Sequence, residues 1–230
     1  IINSTEKTQD LTISGGSSGL ATGTTVTVML NGLAYSATTD SSGNWSVTVP
    51  ASAVGALGEA VYQISASATD SAGNNGSTTH TVNVESLLPG VIINTVAGDD
   101  IINAAEIAVA QTISGQVTGT AVAGNTVIVT IGGNQYTATV QPDLSWSVSV
   151  PAADLQALGN GDLTITASVT NANGNTGSGT RDITIDANLP GLRVDTVAGD
   201  DIVNSIEHGQ ALVITGGSSG LNAGVPLTIT

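Results

Sequence analysis

The sequence predicts an all-β fold of small sandwich domains in tandem, on three observations. The string Thr95-Val96-Ala97-Gly98-Asp99-Asp100-Ile101 returns unchanged as Thr196-Val197-Ala198-Gly199-Asp200-Asp201-Ile202, 101 residues further on. Between the copies, branched apolar residues alternate with small polar ones at a period of two, the pattern of half-buried strands. Segments with helical periodicity are nearly absent.

The repeat extends well beyond that string. Ile101-Ile102-Asn103-Ala104-Ala105-Glu106 matches Ile202-Val203-Asn204-Ser205-Ile206-Glu207, and Ile1-Ile2-Asn3-Ser4-Thr5-Glu6 matches both. Trp45 answers Trp146, Pro50 answers Pro151, Gly73-Asn74 answers Gly174-Asn175, and Leu88-Pro89-Gly90 answers Leu189-Pro190-Gly191. A period this long is too large for a solenoid turn and suits a complete small domain with its own core. The expected organisation is one repeat at 1–90 with its N-terminal edge truncated, a second at 91–191, and the opening of a third at 192–230. A chain that starts and stops inside repeats is expected to continue.

Each element follows from local pattern. Leu11-Thr12-Ile13-Ser14 opens the first repeat, and Thr25 to Leu30 alternates until the turn pair Asn31-Gly32. The stretch from Leu33 to Asp40 is expected to bend into two short strands. Trp45 to Val49 stops at Pro50, and Tyr62 to Ala68 leads through a Gly- and Asn-rich turn from Asp70 to Gly76 into Thr79 to Val84. Six or seven short strands per repeat point to immunoglobulin-like sandwiches placed head to tail. Seven is the preferred count, because an odd number brings the chain in at one pole and out at the other, so that repeats string into a rod. The helical turn expected is Ala152 to Leu158, after Pro151.

Composition narrows the partners. Three Lys and Arg stand against 18 Asp and Glu, a formal charge of −15. Such a surface lacks the basic groups that neutralise phosphate, so nucleic acid and anionic membrane are excluded and cations are the natural partners. No apolar run reaches the ~20 residues of a membrane span, so no direct membrane insertion is expected. There is no Cys, which does not decide the compartment, since a surface protein can dispense with disulfides when its domains are large enough or metals brace them.

Three segments carry a resemblance: Gly-Asn-Trp-Ser-Val-Thr-Val-Pro at 43 to 50, Thr-Asp-Ser-Ala-Gly-Asn at 69 to 74, and Thr-Val-Ala-Gly-Asp-Asp-Ile-Ile-Asn-Ala-Ala-Glu at 95 to 106. The chain resembles, over essentially its whole length, the bacterial Ig-like repeats of giant type I-secreted surface adhesins, of the BapA-type biofilm proteins and the SiiE-type adhesin. The resemblance implies a calcium-stiffened, non-catalytic stalk at the bacterial cell surface, whose host-cell or matrix ligand is bound by other parts of the full chain. The stalk's own partners would be neighbouring repeats. Asn171 stands where the first repeat has Asp70, and Gln141 where it has Asp40, which weakens any cation site that draws on those loops in the second repeat.

The acidic residues admit two readings. Asp40, Asp143, Asp154 and Asp162 read as ordinary turn formers. The Gly-Asp-Asp segments carry more charge than a turn needs: Asp99, Asp100 and Glu106 follow Glu85 at one joint, and Asp186, Asp195, Asp200, Asp201 and Glu207 repeat the arrangement at the next. Carboxylates converging between domains repel one another unless a hard cation intervenes, and calcium, which takes 6 to 8 oxygen ligands, fits. Zinc lacks ligands, with no Cys and only His80 and His208. Asp70 falls between the two readings and is expected at the same pole as Glu6. The spacing is neither that of an EF-hand nor that of the Gly-rich nonapeptide calcium repeat.

Catalysis has little support. Trp45 and Trp146 share strand parity with Val47, Val49, Val148 and Val150, which points both indoles into the core rather than toward sugar. His80, in line with Val82 and Val84, is replaced by Arg181 in the second repeat, an exchange a general base would not tolerate. No Gly-x-Ser-x-Gly elbow or Ser–His pairing recurs. The alternatives are a glycan-binding or homophilic module, which would need exposed loop aromatics, and an accessory domain of a secreted polysaccharide-active enzyme.

Overall fold

The computed structural model describes residues Ile1–Thr230. In the first repeat the strands are β1 (Leu11–Gly16), β2 (Thr25–Leu30), β3 (Leu33–Thr38), β4 (Asn44–Val49), β5 (Ala60–Thr69) and β6 (Asn75–Val84), with a short helix α1 (Ala51–Gly55). One sheet pairs β1 with β4, and the other runs β3-β2-β5-β6. Their inner faces meet over Val26, Val28, Leu30, Trp45, Val49, Ile64 and Val84, the shared core of an Ig-like sandwich.

Local chemistry accounts for these elements. Asn31 and Gly32 both take positive φ, 48° and 76°, which makes a two-residue turn of the twist that suits a hairpin. That turn sets Leu30 opposite Leu33 and keeps β2 and β3 paired through to Thr25 and Thr38. The expected bend in this stretch is therefore absent: β3 is one straight strand. Pro50 pre-sets the backbone ahead of α1, whose Val54, with Leu57 just beyond, plugs the core. The sequence reading missed this helix; its counterpart in the second repeat spans the residues expected.

The second repeat contains β7 (Gly90–Ile93), β8 (Ile101–Asn103), β9 (Gln111–Thr118), β10 (Thr126–Ile131), β11 (Asn134–Thr139), β12 (Ser145–Val150), α2 (Ala152–Leu158), β13 (Gly161–Thr170) and β14 (Thr176–Asp186). Its sheets run β12-β9-β7 and β11-β10-β13-β14-β8. The first repeat thus has six strands and the second eight, so neither gives the preferred seven directly; in the second, β7 and β8 are two short opening strands that join different sheets. The third repeat contributes β15 (Gly191–Val194) and β16 (Gly216–Ser219), paired antiparallel.

By proximity the chain gathers into two compact units, one of Ile1–Asn94, Ile113–Val148 and Ile165–Arg181, the other of Thr95–Thr112, Ser149–Thr164 and Asp182–Thr230. The first holds the whole first repeat together with Ile113, Val127, Val129, Trp146 and Ala167, all buried. In the second, the buried residues are Val96, Ile102, Val150, Leu155, Ile183 and Ile185. Both tryptophans point inward as expected, Trp45 9% exposed and Trp146 1%.

Candidate functional site

The acidic residues sort by what their carboxylates hold. Ile2 forms a parallel bridge to Val84, with Ile2 N donating to Asn83 O and Glu85 N to Ile2 O at 2.7 and 3.0 Å. This puts Asn3 beside Glu85. Asn3 Oδ1 then accepts from Thr5 N and Glu6 N at 3.0 and 2.9 Å, and Glu6 Oε2 accepts from Asn3 N at 2.9 Å. The reciprocal pair is a capping box that closes the first helical turn after the strand. Asn103 with Glu106 and Asn204 with Glu207 reproduce it. In the second repeat Asp186 lies opposite Asn103 in the parallel ladder, as Glu85 flanks Asn3. Each repeat therefore ends with two of the expected ligands around one asparagine: Glu85 and Glu6 in the first, Asp186 and Glu106 in the second.

The Gly-Asp-Asp segments are turns within a repeat. The loop 94–100 carries the chain from β7, paired with β9, to β8, paired with β14. Asp99 Oδ1 accepts from Ile101 N at 3.0 Å and Asp100 Oδ1 from Val96 N at 3.0 Å. Asp100 sits at φ 67°, a conformation that Asp tolerates better than most residues. Asp200 and Asp201 repeat both contacts, to Ile202 N and Val197 N. Glu85 belongs to one compact unit, and Asp99, Asp100 and Glu106 to the other. Asp195 pairs with Arg193 at 2.7 Å on the surface. No three His, Asp or Glu side chains come together among the described residues.

Asp70 requires a correction. It precedes the start of β6, whereas Ile2 bridges the end of β6, so Asp70 and Glu6 lie at opposite poles of the first repeat. Strand order, which the local pattern does not contain, decides this. Asp70 closes its own hairpin: Oδ1 accepts from Ala72 N and Asn74 N at 2.9 and 2.8 Å, and Oδ2 from Asn74 Nδ2 at 2.9 Å. The Asn74 side-chain amide, with the main-chain N–H groups of Asn74 and Ala72, holds the Asp70 carboxyl below its usual value. Asn44 and Ser42 do the same for Asp40, and Ser145 for Asp143, which is the role of turn former expected for both. In the second repeat Asn171 Oδ1 accepts from Asn173 N and Asn175 N at 3.0 Å each, keeping the closure, and its Nδ2 gains Thr120 Oγ1 at 2.9 Å.

That second hairpin docks on the end of the first repeat. Asn175, 1% exposed, donates from Nδ2 to Glu85 O and accepts at Oδ1 from Ser4 N, both at 2.7 Å. Asn173 Nδ2 donates to Glu85 Oε2. Both ends of the Asn175 amide are thus matched, which fixes its orientation. Sequence reasoning singled out Glu85 but missed Asn173, Asn175 and Ser4. The recurrent Gly-Asn pair was the available signal, and its period alone could not reveal its partner. The donors at this joint are all oxygen-bearing and suit a hard cation in kind: the Glu85 and Glu6 carboxylates, the Asn3 and Asn173 amides and main-chain carbonyls.

Residues 3–86 match the family described as "Bacterial Ig-like domain". Among solved structures, a Ca2+-stabilised adhesin that helps an Antarctic bacterium reach out and bind ice is 32% identical, over 95% of this chain and 55% of that one, with a TM-score of 0.56. A 1.5-MDa bacterial ice-binding adhesin, studied for host cell surface retention, is 30% identical over 95% of this chain and 72% of that one, with a TM-score of 0.50. A bacterial immunoglobulin-like domain from the M. primoryensis ice-binding adhesin is 34% identical over 43% of this chain and 96% of its own, with a TM-score of 0.35. No curated protein matches. The chain belongs to the bacterial Ig-like adhesin repeats. It spans about half the length of the first of those structures, and none of its helices is long and apolar enough to cross a membrane.

Proposed function

We propose that this chain is a stalk segment of a bacterial cell-surface adhesin, a non-catalytic spacer whose joints are held stiff so that an adhesive region elsewhere stands away from the cell. The observation that carries the reading is the docking of the Asn171–Asn175 hairpin on Ser4 and Glu85. A tether that had only to be flexible would not bury an asparagine there with both ends of its amide paired.

Calcium completes the proposal. The charge of −15, the carboxylate pairs flanking Asn3 and Asn103, and the description of a similar adhesin as Ca2+-stabilised all support it. The ligands proposed are Glu85 and Glu6 at the first joint and Asp186 and Glu106 at the next, with Asp99, Asp100, Asp200 and Asp201 acting as turn formers. Bound calcium would neutralise paired carboxylates that otherwise repel. Export by type I secretion and a part in biofilm formation belong to the same proposal.

Calorimetry in millimolar calcium and in chelator tests the cation. An ion binding only the folded state at 100-fold excess over its Kd adds about 2.7 kcal/mol, seen as a higher melting temperature. An unchanged melting temperature would contradict the calcium part of the proposal. A hydrolase panel run on the same samples should give no turnover.

A further inference from the structure

Strand β3 is the outer strand of the sheet β3-β2-β5-β6, at the edge away from β6. The two-residue turn at Asn31-Gly32 makes Leu30 and Leu33 a hydrogen-bonded pair, and the ladder alternates from there. The main-chain groups of Leu33, Tyr35 and Ala37 therefore serve β2, and those of Ala34, Ser36 and Thr38 point outward. Thr39 N, next in the alternation, donates to Thr24 O at 3.0 Å. Ala34, Ser36 and Thr38 are exposed. The second repeat, which includes its opening strands, leaves β11 at the same edge, so the position of β3 belongs to the fold.

Edges of this kind are ordinarily blunted by Lys, Pro or a bulge. The strand Leu33-Ala34-Tyr35-Ser36-Ala37-Thr38 has none of these and keeps an unbroken register with β2. Charge is absent from the sheet face beside it as well. Ser36 runs through Thr27 and Ser67 to Ser77, and Ala34 through Met29 and Ser65 to Thr79, across all four strands. In a chain of charge −15, two copies approach with least repulsion over such a surface. The second repeat covers its edge: Gln141 Nε2 donates to the outward Thr139 O at 2.9 Å. Asp40, in the matching place, has no donor to offer and turns its carboxylate to Ser42 N and Asn44 N, both at 2.8 Å, so Thr38 O stays open.

We propose that β3 is a self-recognition edge, on which the β3 of a second copy adds antiparallel and continues the sheet across a two-fold axis at Ser36. In that register Ser36 faces Ser36 and Ala34 faces Thr38, so the outward N–H and C=O groups of all three residues are matched. Tyr35 comes opposite Ala37, with both side chains on the core face. Asp40 of each copy falls opposite Gly32 of the other, so no carboxylates are set against each other. A strand without charge or bulk at its outward positions is its own complement, as an isologous contact requires. The contact uses no cation ligand, and it joins stalk segments side by side whether or not calcium fills the joints.

Sedimentation equilibrium of the 230-residue chain in chelator, where no divalent cation bridges carboxylates, tests the proposal. A reversible monomer–dimer equilibrium is expected between about 10 μM and 1 mM, the range of a small transient contact. Amide hydrogen exchange over the same range should show protection of Ala34, Ser36 and Thr38. Ser36→Pro removes an outward N–H and spares the β2 ladder, and Ser36→Glu sets like charges face to face. Each should raise the dimer Kd about tenfold or more, and Ser36→Glu, which alters only an exposed side chain, should melt as the parent chain does. Thr137→Pro, at the matching place of β11, should leave the dimer unchanged. A chain that stays monomeric, a dimer indifferent to the Ser36 variants or equally weakened by Thr137→Pro, or protection that falls on Gly15–Ser18 or Asn75–Thr78 instead would overturn the proposal.

Discussion

Asn175 donates its side-chain N–H to the main-chain oxygen of Glu85 at 2.7 Å, across 90 residues of chain. Its Oδ1 accepts from Ser4 N, so Asn175→Ala leaves a carbonyl and an N–H, both half-buried, without their partner. Each such group costs about 1–3 kcal/mol. We expect Asn175→Ala to lower stability in denaturant by about 2 kcal/mol, and Asn74→Ala, in the first repeat's exposed hairpin, to cost less. Equal losses would mean that the docking contributes nothing beyond hairpin closure.

Gly15 lies opposite Trp45 in the ladder, and a Cβ there would fall 2.5 Å from the indole Cζ2. Gly115 stands in the same relation to Trp146, at 2.7 Å. Gly15→Val is expected to destabilise by about 1–3 kcal/mol through overpacking. Combined with Trp45→Leu it should lose less than the sum of the two single changes. Strict additivity in urea unfolding would show that strand and indole do not compete for the space.

The Asp70 carboxyl is held below its usual value by the Asn74 amide and the hairpin N–H groups. A depressed folded pKa means that the carboxylate's contribution is present above the unfolded value and is lost as pH falls through the folded one. The hairpin should therefore loosen only below about pH 4, and NMR titration should place Asp70 below an unfolded-peptide control. Asp70→Asn should abolish this step and keep the turn, since Asn171 closes its counterpart through Oδ1.

Asp99→Asn and Asp100→Asn should be nearly silent in both folding and calcium response, because asparagine keeps the Oδ1 acceptor and tolerates positive φ. Asp100→Ala should cost about 1–2 kcal/mol through the lost Val96 contact and the strained φ. Glu85→Gln should weaken the calcium response. Calcium titration followed by melting temperature separates these variants, and a lost response in Asp100→Asn would return the Gly-Asp-Asp segments to the ligand set.

The strands were legible because their period is local: Thr25 to Leu30 alternates in the sequence and alternates in burial, and the inward parity of Trp45 and Trp146 could be read the same way. Helix α2 was visible after Pro151, while α1 lay hidden in Ala51-Ser52-Ala53-Val54-Gly55, which is short and ends in glycine. Non-local arrangement was not legible. Nothing in the acidic string at 95–101 distinguishes a crossover turn between two sheets from a joint between domains. Asp70 and Glu6 were set at one pole because periodicity does not reveal which end of β6 meets Ile2. His80, expected in line with Val82 and Val84, is exposed, whereas Arg181 in the matching place reaches the Ile93 carbonyl.

The central claim is that the joint between the first two repeats is stiff, and the distance between labels on either side tests it most directly. The chain has no Cys, so Thr12→Cys and Gln135→Cys, both exposed positions, accept spin labels without competition. Pulsed dipolar spectroscopy should give one narrow distance distribution in calcium, a broader one in chelator, and the broadest when chelator is combined with Asn175→Ala. A distribution equally broad in all three conditions would contradict the account.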